Sequence, residues 1–112
     1  GADLYGHDGK QWRWIDVTRP AKQDVARRFF ASEPTDTTRQ FQIYLPLYNG
    51  VEKFEIGTTD GAELKALPAR GSVRKPIVCY GTSIMHGACS SRPGMAWPSI
   101  VGRMLDREVD GA

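Results

Sequence analysis

The chain has 112 residues, of which 40% are hydrophobic and 25% are charged, and its formal net charge is +2. These proportions are typical of a globular protein and exclude wholesale disorder, and the length provides for one hydrophobic core but not for two. The small charge does not indicate a nucleic-acid partner, and the lack of a long apolar run excludes a transmembrane helix. We therefore expect neither nucleic acid nor a membrane as partner.

The N-terminal residues predict a β-hairpin. Two apolar runs, at residues 4–5 and 12–17, flank an Asp8-Gly9 pair, and Asp-Gly between apolar runs is a strong hairpin signal. The segment before the hairpin has no basic stretch followed by an apolar one, so no secretory signal is visible. The localisation therefore stays open, and a periplasmic or secreted parent protein is compatible with the sequence.

A second hairpin is predicted between residues 41–45 and 51–56. The first of these segments alternates apolar and polar side chains, and Asn49-Gly50 lies between the two. Asn-Gly readily adopts the positive φ angles of a tight turn, which supports the pairing. Residues 62–67 predict one more short strand, so residues 1–67 are expected to be antiparallel β-structure.

The character of the chain changes after residue 67. Residues 68–76 have the composition of a linker, with two prolines, a Gly-Ser pair and three cations. Residues 77–80 are a continuous apolar run, which predicts a strand buried on both faces of a parallel sheet. An amphipathic helix is predicted from five apolar residues at i, i+3, i+4, i+7 and i+8: Trp97, Ile100, Val101, Met104 and Leu105. Residues 77–112 thus predict the start of an α/β domain.

Ser83 lies just past the carboxyl end of this predicted strand, in Gly81-Thr82-Ser83. Ligands of open α/β sheets bind at that edge, and backbone N–H groups at the turn are placed to stabilise negative charge. A serine there is either a nucleophile or a helix N-cap. His86 follows three residues later and shares a helix face with Ser83, which makes it a candidate base. The alternative is a partly exposed helix histidine without catalytic function.

The cysteines and the N-terminal tryptophans leave alternatives open. Cys79 lies in the apolar run, where we expect a buried thiol, and Cys89 lies in the following loop. Two cysteines make neither a metal site nor a disulfide framework, although a single disulfide and two free thiols are both compatible with the sequence. We expect no metal and no cofactor. Trp12 and Trp14 share one strand face, where core packing and stacking on a sugar ring both remain open.

The segment Gly81-Thr82-Ser83-Ile84, with Gly87, resembles the first conserved block of the SGNH (GDSL-like) hydrolases, Gly-Asp-Ser-[Leu/Ile]-x-x-Gly. Thr82 stands where the family usually has Asp. This resemblance implies hydrolysis of a carboxylic ester, often an acyl group on a carbohydrate, through a covalent acyl-serine. Ser83 would be the nucleophile and its backbone N–H one oxyanion donor. The expected partner is a small-molecule or carbohydrate ester, and Gly87 and Arg92 are candidate substrate-binding residues.

The resemblance extends to one branch of the family, in which a β-sandwich precedes the hydrolase domain. Residues 75–84 and 87–97 are similar to that branch, and residues 44–50 and 55–57 look like closing strands of its sandwich. The implied fold is mixed. A partial antiparallel, jelly-roll-like β-sandwich over residues 1–67 and a linker over 68–76 precede the first strand–turn–helix of an α/β SGNH hydrolase domain over 77–112.

Other parts of the family pattern have no position in the sequence. They are an oxyanion glycine, an oxyanion asparagine and an Asp-x-x-His, so the 112-residue chain by itself is expected to turn over substrate near background. A lone parallel strand and an incomplete sandwich also need partners. We therefore expect the chain to be a piece of a longer protein, with missing segments or a second copy completing the fold. The alternative function is a non-catalytic β-sandwich domain that binds carbohydrate or has an accessory role.

Overall fold

The computed structural model describes residues 1–19, 39–58, 60–68 and 75–111. Within these ranges, eight elements follow in chain order: β1 Asp3–His7, β2 Trp12–Val17, β3 Phe41–Tyr44, β4 Ile77–Cys79, α1 Ser83–His86, a 3-10 turn Pro93–Met95, α2 Trp97–Leu105 and β5 Val109–Gly111. They form a three-stranded sheet in the order β2-β1-β3 and a two-stranded sheet of β4 and β5. Most of the predicted linker, residues 69–74, lies outside the described residues.

The first hairpin is confirmed. Strands β1 and β2 pair antiparallel, with His7 opposite Trp12, and Gly9 adopts a φ of 95° in the turn between them. Oδ1 of Asp8 accepts hydrogen bonds from the backbone N–H groups of Lys10 and Gln11, each at 2.8 Å. These side-chain hydrogen bonds stabilise the turn locally, and Oδ2 of Asp8 also pairs with Nε of Arg13 in β2.

The second predicted hairpin is wrong. Strand β3 pairs antiparallel with β1, placing Tyr44 opposite Asp3 and Phe41 opposite Gly6. Neither residues 51–56 nor residues 62–67 form a strand, and Gly50 does not adopt a positive φ. The Asn-Gly pair permits a tight turn but does not require one. The free edge of the buried strand β1 takes β3 instead, because pairing there closes the backbone hydrogen bonds of a strand that has no access to water.

Strand β4 is confirmed, but its surroundings differ from the prediction. Val78 is 69% exposed and Cys79 is half-buried, so burial on both faces is not observed. Strand β4 also has a partner that the sequence did not predict, since β5 pairs with it in parallel from Ile77 opposite Val109 onward. Cys79 and Cys89 are both free thiols.

Helix α2 is confirmed at the predicted position, with a proline in its first turn, where the missing N–H costs no hydrogen bond. Among the described residues, the buried apolar side chains are those of Leu4, Tyr5, Pro93 and Ala96, and Asp3 is buried with them. The core therefore lies where β1 meets the segment before α2. No helix in the described ranges is long and apolar enough to span a bilayer.

Candidate active site

Ser83 is the first residue of α1, which is separated from the last residue of β4 by three residues. Thr82 is the N-cap, with extended backbone angles, and makes no side-chain capping hydrogen bond. Ser83 is therefore not the N-cap that the sequence left as an alternative, and its side chain is exposed. This arrangement presents a free hydroxyl at the carboxyl end of a parallel strand, as a serine nucleophile requires.

Two glycines allow the backbone to approach closely on either side of α1. A Cβ at Gly81 would lie 2.7 Å from the Cβ of Met85 in α1. Gly87 ends α1 with a φ of 82°, and a Cβ there would lie 2.8 Å from the Cβ of Ala96. The spacing of glycines around Ser83 is thus required by packing and by a left-handed backbone conformation. Substrate binding by Gly87 stays a prediction.

His86 contacts the N-terminal half of the chain. Its Nε2 lies 2.9 Å from the carbonyl oxygen of Leu47, and its ring is 5.3 Å from the ring of Tyr48 between centroids. A carbonyl oxygen only accepts, so Nε2 carries the proton and Nδ1 is the nitrogen left to act as a base. The contact holds α1 against residues 47–48, and the role of His86 as a base stays a prediction.

Arg92 also reaches into the N-terminal sheet. Its Nε lies 3.2 Å from Oδ2 of Asp3, and its Nη2 donates a hydrogen bond of 3.2 Å to the hydroxyl of Tyr5. The guanidinium lies over the indole of Trp14, 4.6 Å from the ring centroid. Arg92 and Trp14 line a cleft of about 280 Å³, and Ser83 is not among its lining residues. Substrate binding by Arg92 stays a prediction.

Asp3 is the residue that sequence analysis missed. It is 0% exposed, and its carboxylate accepts hydrogen bonds of 2.6 Å from Nε1 of Trp14 and 2.9 Å from the backbone N–H of Gly94. With the ion pair to Arg92, two hydrogen-bond donors and one cation surround this buried charge, and burial of a carboxylate without such partners is very unfavourable. Because Arg92 and Gly94 lie at the far end of the sequence, the residues next to Asp3 do not predict these contacts.

A cation–π cluster joins α2 to the same sheet. The guanidinium of Arg103 lies 4.2 Å from the ring centroid of Tyr5 and 5.4 Å from that of Tyr44. The two tyrosine rings pack edge to face with centroids 5.4 Å apart. Contacts of this kind stabilise by about 0.5–2 kcal/mol each, more when water is excluded. The sheet therefore holds both α2 and the segment that precedes it.

The tryptophans have contacts within the chain that account for their positions. Trp14 donates its indole N–H to Asp3 and carries Arg92 on its ring, while the ring of Trp12 packs edge to face on His7 at 5.1 Å between centroids. Trp14 is still 46% exposed beside the cleft. Within the described ranges, no group of three or more His, Cys, Asp or Glu side chains is arranged to hold a metal ion.

Comparison with known proteins identifies the family. A family model described as the N-terminus of Esterase_SGNH_hydro-type, GxDLY, matches residues 1–64. The chain belongs to the SGNH esterase family. A second model, for the GDSL-like Lipase/Acylhydrolase family, matches residues 74–110 and so includes Ser83. The pattern in the first description, Gly-x-Asp-Leu-Tyr, is present as residues 1–5, which places the buried Asp3 and Tyr5 in the family pattern.

A solved structure supports the same assignment. A protein from Bacteroides ovatus, described as a GDSL-like lipase, superposes with a TM-score of 0.78 and is 30% identical in sequence. The match covers 98% of this chain and 32% of that protein, so the SGNH chain spans about a third of the length of its structural relative. No curated protein matches the chain.

Proposed function

We propose that this chain carries the nucleophile of a serine-dependent carboxylic ester hydrolase. The observation that carries the proposal is the exposed Ser83 at the start of α1, the first helix after the parallel strand β4, within the segment that matches the GDSL-like family. Membership of the SGNH esterases supports a hydrolase function. Acyl groups on carbohydrates are the proposed substrate, as the resemblance to the SGNH hydrolases implies. The exposed Trp14 lies at a cleft that Arg92 lines and Ser83 does not.

The proposed reaction proceeds through an acyl-enzyme. The Oγ of Ser83 attacks the ester carbonyl while its proton passes to a base, and the C–O bond to the leaving alcohol breaks as the alcohol takes up that proton. The backbone N–H of Ser83 has no partner within α1, because the first N–H groups of a helix have none. It is therefore free to stabilise the oxyanion. Water then hydrolyses the acyl-serine and regenerates the hydroxyl.

The base is proposed to come from one of two sources. The chain has two histidines, His7 and His86; Nδ1 of His7 accepts a hydrogen bond from the N–H of Gly9 in the hairpin turn. His86 is the candidate within the chain, through Nδ1. The alternative source, supported by the coverage of 32% of the structural relative, is further polypeptide that also supplies the remaining oxyanion donors. In that case the 112-residue chain alone is close to inactive.

We propose a domain organisation that is supported by the two family-model matches, at residues 1–64 and 74–110. Residues 1–67 form part of a jelly-roll-like β-sandwich, residues 68–76 a linker, and residues 77–112 the first part of an α/β hydrolase domain. Three apolar side chains around the site are largely exposed: Val78, Tyr80 and Ile84. Exposed apolar side chains beside a short sheet are where further polypeptide or a second copy of the chain would pack.

Labelling with a fluorophosphonate probe tests the proposal. The full-length protein that contains this chain is expected to react at Ser83, with the site identified by mass spectrometry, and Ser83→Ala is expected to abolish the label. Ser91→Ala is the matched control, because Ser91 is also exposed and follows α1. A folded wild-type protein that takes no label would refute the assignment.

The same assay distinguishes the two sources of the base. Removing a general base lowers the rate by about 10²–10⁴-fold. A loss of that size in His86→Gln would assign the base to His86. A smaller loss would assign it to polypeptide outside the chain, because Gln still offers a donor to the carbonyl of Leu47.

A non-catalytic carbohydrate-binding domain is the second candidate function, favoured by the 46% exposure of Trp14. Titration of oligosaccharides with tryptophan fluorescence as the signal tests it. This candidate function requires that the tryptophan fluorescence of the Ser83→Ala variant changes saturably with added oligosaccharide, and that the Trp14→Phe variant shows no such change. A flat response over a broad panel of glycans would exclude it.

A further inference from the structure

We propose that Asp3 is a positioning residue for Ser83. Its buried carboxylate fixes the segment from Arg92 to Ala96, here named the 92–96 loop, and this loop in turn fixes the end of α1. The proposal rests on the proposed nucleophilic role of Ser83 and adds a residue from the N-terminal strand β1 to the same site.

The first link joins β1 to the 92–96 loop. Oδ2 of Asp3 accepts the backbone N–H of Gly94 at 2.9 Å and lies 3.2 Å from Nε of Arg92. A Cβ on Gly94 would lie 2.5 Å from that same oxygen, so the loop backbone is in direct contact with the carboxylate. Trp14 holds the other oxygen at 2.6 Å, which prevents the carboxylate from turning away from the loop.

The second link joins the loop to α1. The 3-10 turn is closed by a hydrogen bond of 3.1 Å from the N–H of Ala96 to the carbonyl of Pro93, so a shift at Gly94 also moves Ala96. Ala96 is 3% exposed and packs against Gly87, the residue that ends α1. Contact is close enough that a Cβ on Gly87 would lie 2.8 Å from the Cβ of Ala96.

Gly87 is also tied to the chain that leads into the loop. Its carbonyl accepts hydrogen bonds from the N–H of Ser90 at 3.0 Å and from the Oγ of Ser90 at 2.7 Å. Its own N–H closes the last turn of α1 on the carbonyls of Ser83 and Ile84. The backbone of Ser83 is therefore connected to the carboxylate of Asp3 by an unbroken series of contacts.

The external contacts matter because α1 has only four residues. A single helical turn is not stable by itself, since nucleation of a helix is unfavourable, and so its orientation depends on what it packs against. A nucleophile displaced by about 1 Å can lose about 10²-fold in rate. Asp3 therefore influences the reaction through the position of Ser83, without contact with substrate.

Asp3→Asn in the full-length protein tests the proposal with two measurements. It keeps the shape of the side chain, removes the charge that Arg92 pairs with, and turns an N–H toward one of the donors. We expect faster amide hydrogen exchange over residues 83–96, and a rate of fluorophosphonate labelling at Ser83 that falls by about 10²-fold. With p-nitrophenyl acetate as substrate, kcat is expected to fall while KM stays unchanged.

Two further variants keep the test decisive. Asp8→Asn is the matched control, because it makes the same chemical change in the same hairpin, where Asp8 contacts Lys10 and Gln11 and not the 92–96 loop. Ala96→Gly removes the Cβ that packs on Gly87 and leaves the contacts of Asp3 in place. It is expected to raise exchange over residues 83–87 and to lower the labelling rate even if Asp3→Asn does not fold.

The outcomes separate this proposal from the proposed function. If Ser83 is labelled in the wild type and Asp3→Asn changes neither exchange nor rate, the positioning role is refuted and the nucleophile stands. The positioning role would also be refuted if Asp8→Asn lowered the labelling rate as much as Asp3→Asn, since the effect would then be one of general stability. If the wild type takes no label, the proposed function fails, and the exchange data alone decide whether Asp3 holds α1.

Discussion

Substitution of Gly94 by alanine is the most direct perturbation of the contact between the two halves of the chain. Gly94 is buried, and an added Cβ would collide with Cε2 of Tyr5 while lying 2.9 Å from its Cζ and 2.5 Å from Oδ2 of Asp3. Neither neighbour can move away easily, because Tyr5 and Asp3 are both buried on the central strand β1. The φ of Gly94 is not left-handed, so alanine adds no backbone strain.

Two opposing terms determine the size of the effect. Forcing an additional methyl group into a well-packed interior costs about 1–3 kcal/mol. Replacing glycine by alanine at a compatible backbone conformation stabilises by about 0.4–1 kcal/mol, because the unfolded chain loses conformational freedom. The expected result for Gly94→Ala is a net loss of about 1–2 kcal/mol in the free energy of unfolding.

Urea unfolding of the full-length protein measures this loss, with Gly50→Ala as the matched control. A Cβ at Gly50 has no atom within 4 Å and its φ is not left-handed. Gly50→Ala should therefore be neutral or stabilising by up to about 1 kcal/mol. The close contact between Gly94 and β1 would be refuted if the two variants had equal free energies of unfolding and the same slope of that free energy against urea concentration.

Two further predictions concern turns. Gly87→Ala and Gly9→Ala both place alanine at a positive φ, and only Gly87 faces another atom, the Cβ of Ala96 at 2.8 Å. Gly87→Ala should therefore be more destabilising by about 1–3 kcal/mol in thermal or urea unfolding, and equal losses would contradict the packing of Ala96 on α1. Hydrogen bonds to the Asp8 carboxylate lower the pKa of Asp8 well below its ordinary value, and the largest contribution comes from the backbone N–H of Gln11. The stability they contribute is thus complete above pH ~4 and is lost as the pH falls further. The difference in unfolding free energy between wild type and Asp8→Asn should shrink below pH ~4, and a difference that stays constant down to pH ~2 would contradict this.

Structural elements that depend only on residues close together in the chain were predictable from the sequence. The Asp8-Gly9 turn and the helical spacing of α2 are confirmed by the structure, because side-chain hydrogen bonds in a turn and a 3.6-residue period are both local properties. The pairing of β3 was not predictable in the same way. Asn49-Gly50 favoured a local hairpin, whereas the edge of β1 competed for the same strand from a distant part of the sequence.

The candidate site likewise contains residues that local sequence motifs identify and residues that they do not. Ser83 was selected as the candidate nucleophile from the sequence because Gly81-Thr82-Ser83-Ile84, with Gly87, resembles a continuous motif of the SGNH hydrolases. Asp3 was not, since its partners Arg92 and Gly94 lie at the other end of the chain, and the signal that marks it is the family pattern Gly-x-Asp-Leu-Tyr at residues 1–5. His86 and Arg92 were chosen by proximity to Ser83, and the structure shows that both contact the N-terminal half of the chain.

By itself, the sequence determined the family, the position of the candidate serine motif and the elements with strong local periodicity. Only the tertiary structure decided that β1 is the central strand, that β5 pairs with β4, and that Asp3 holds the 92–96 loop. The physical reason is that these pairings depend on burial. A carboxylate or a strand edge from which water is excluded needs a partner for its charge or its hydrogen bonds. The folded chain supplies that partner from a position near or far in the sequence.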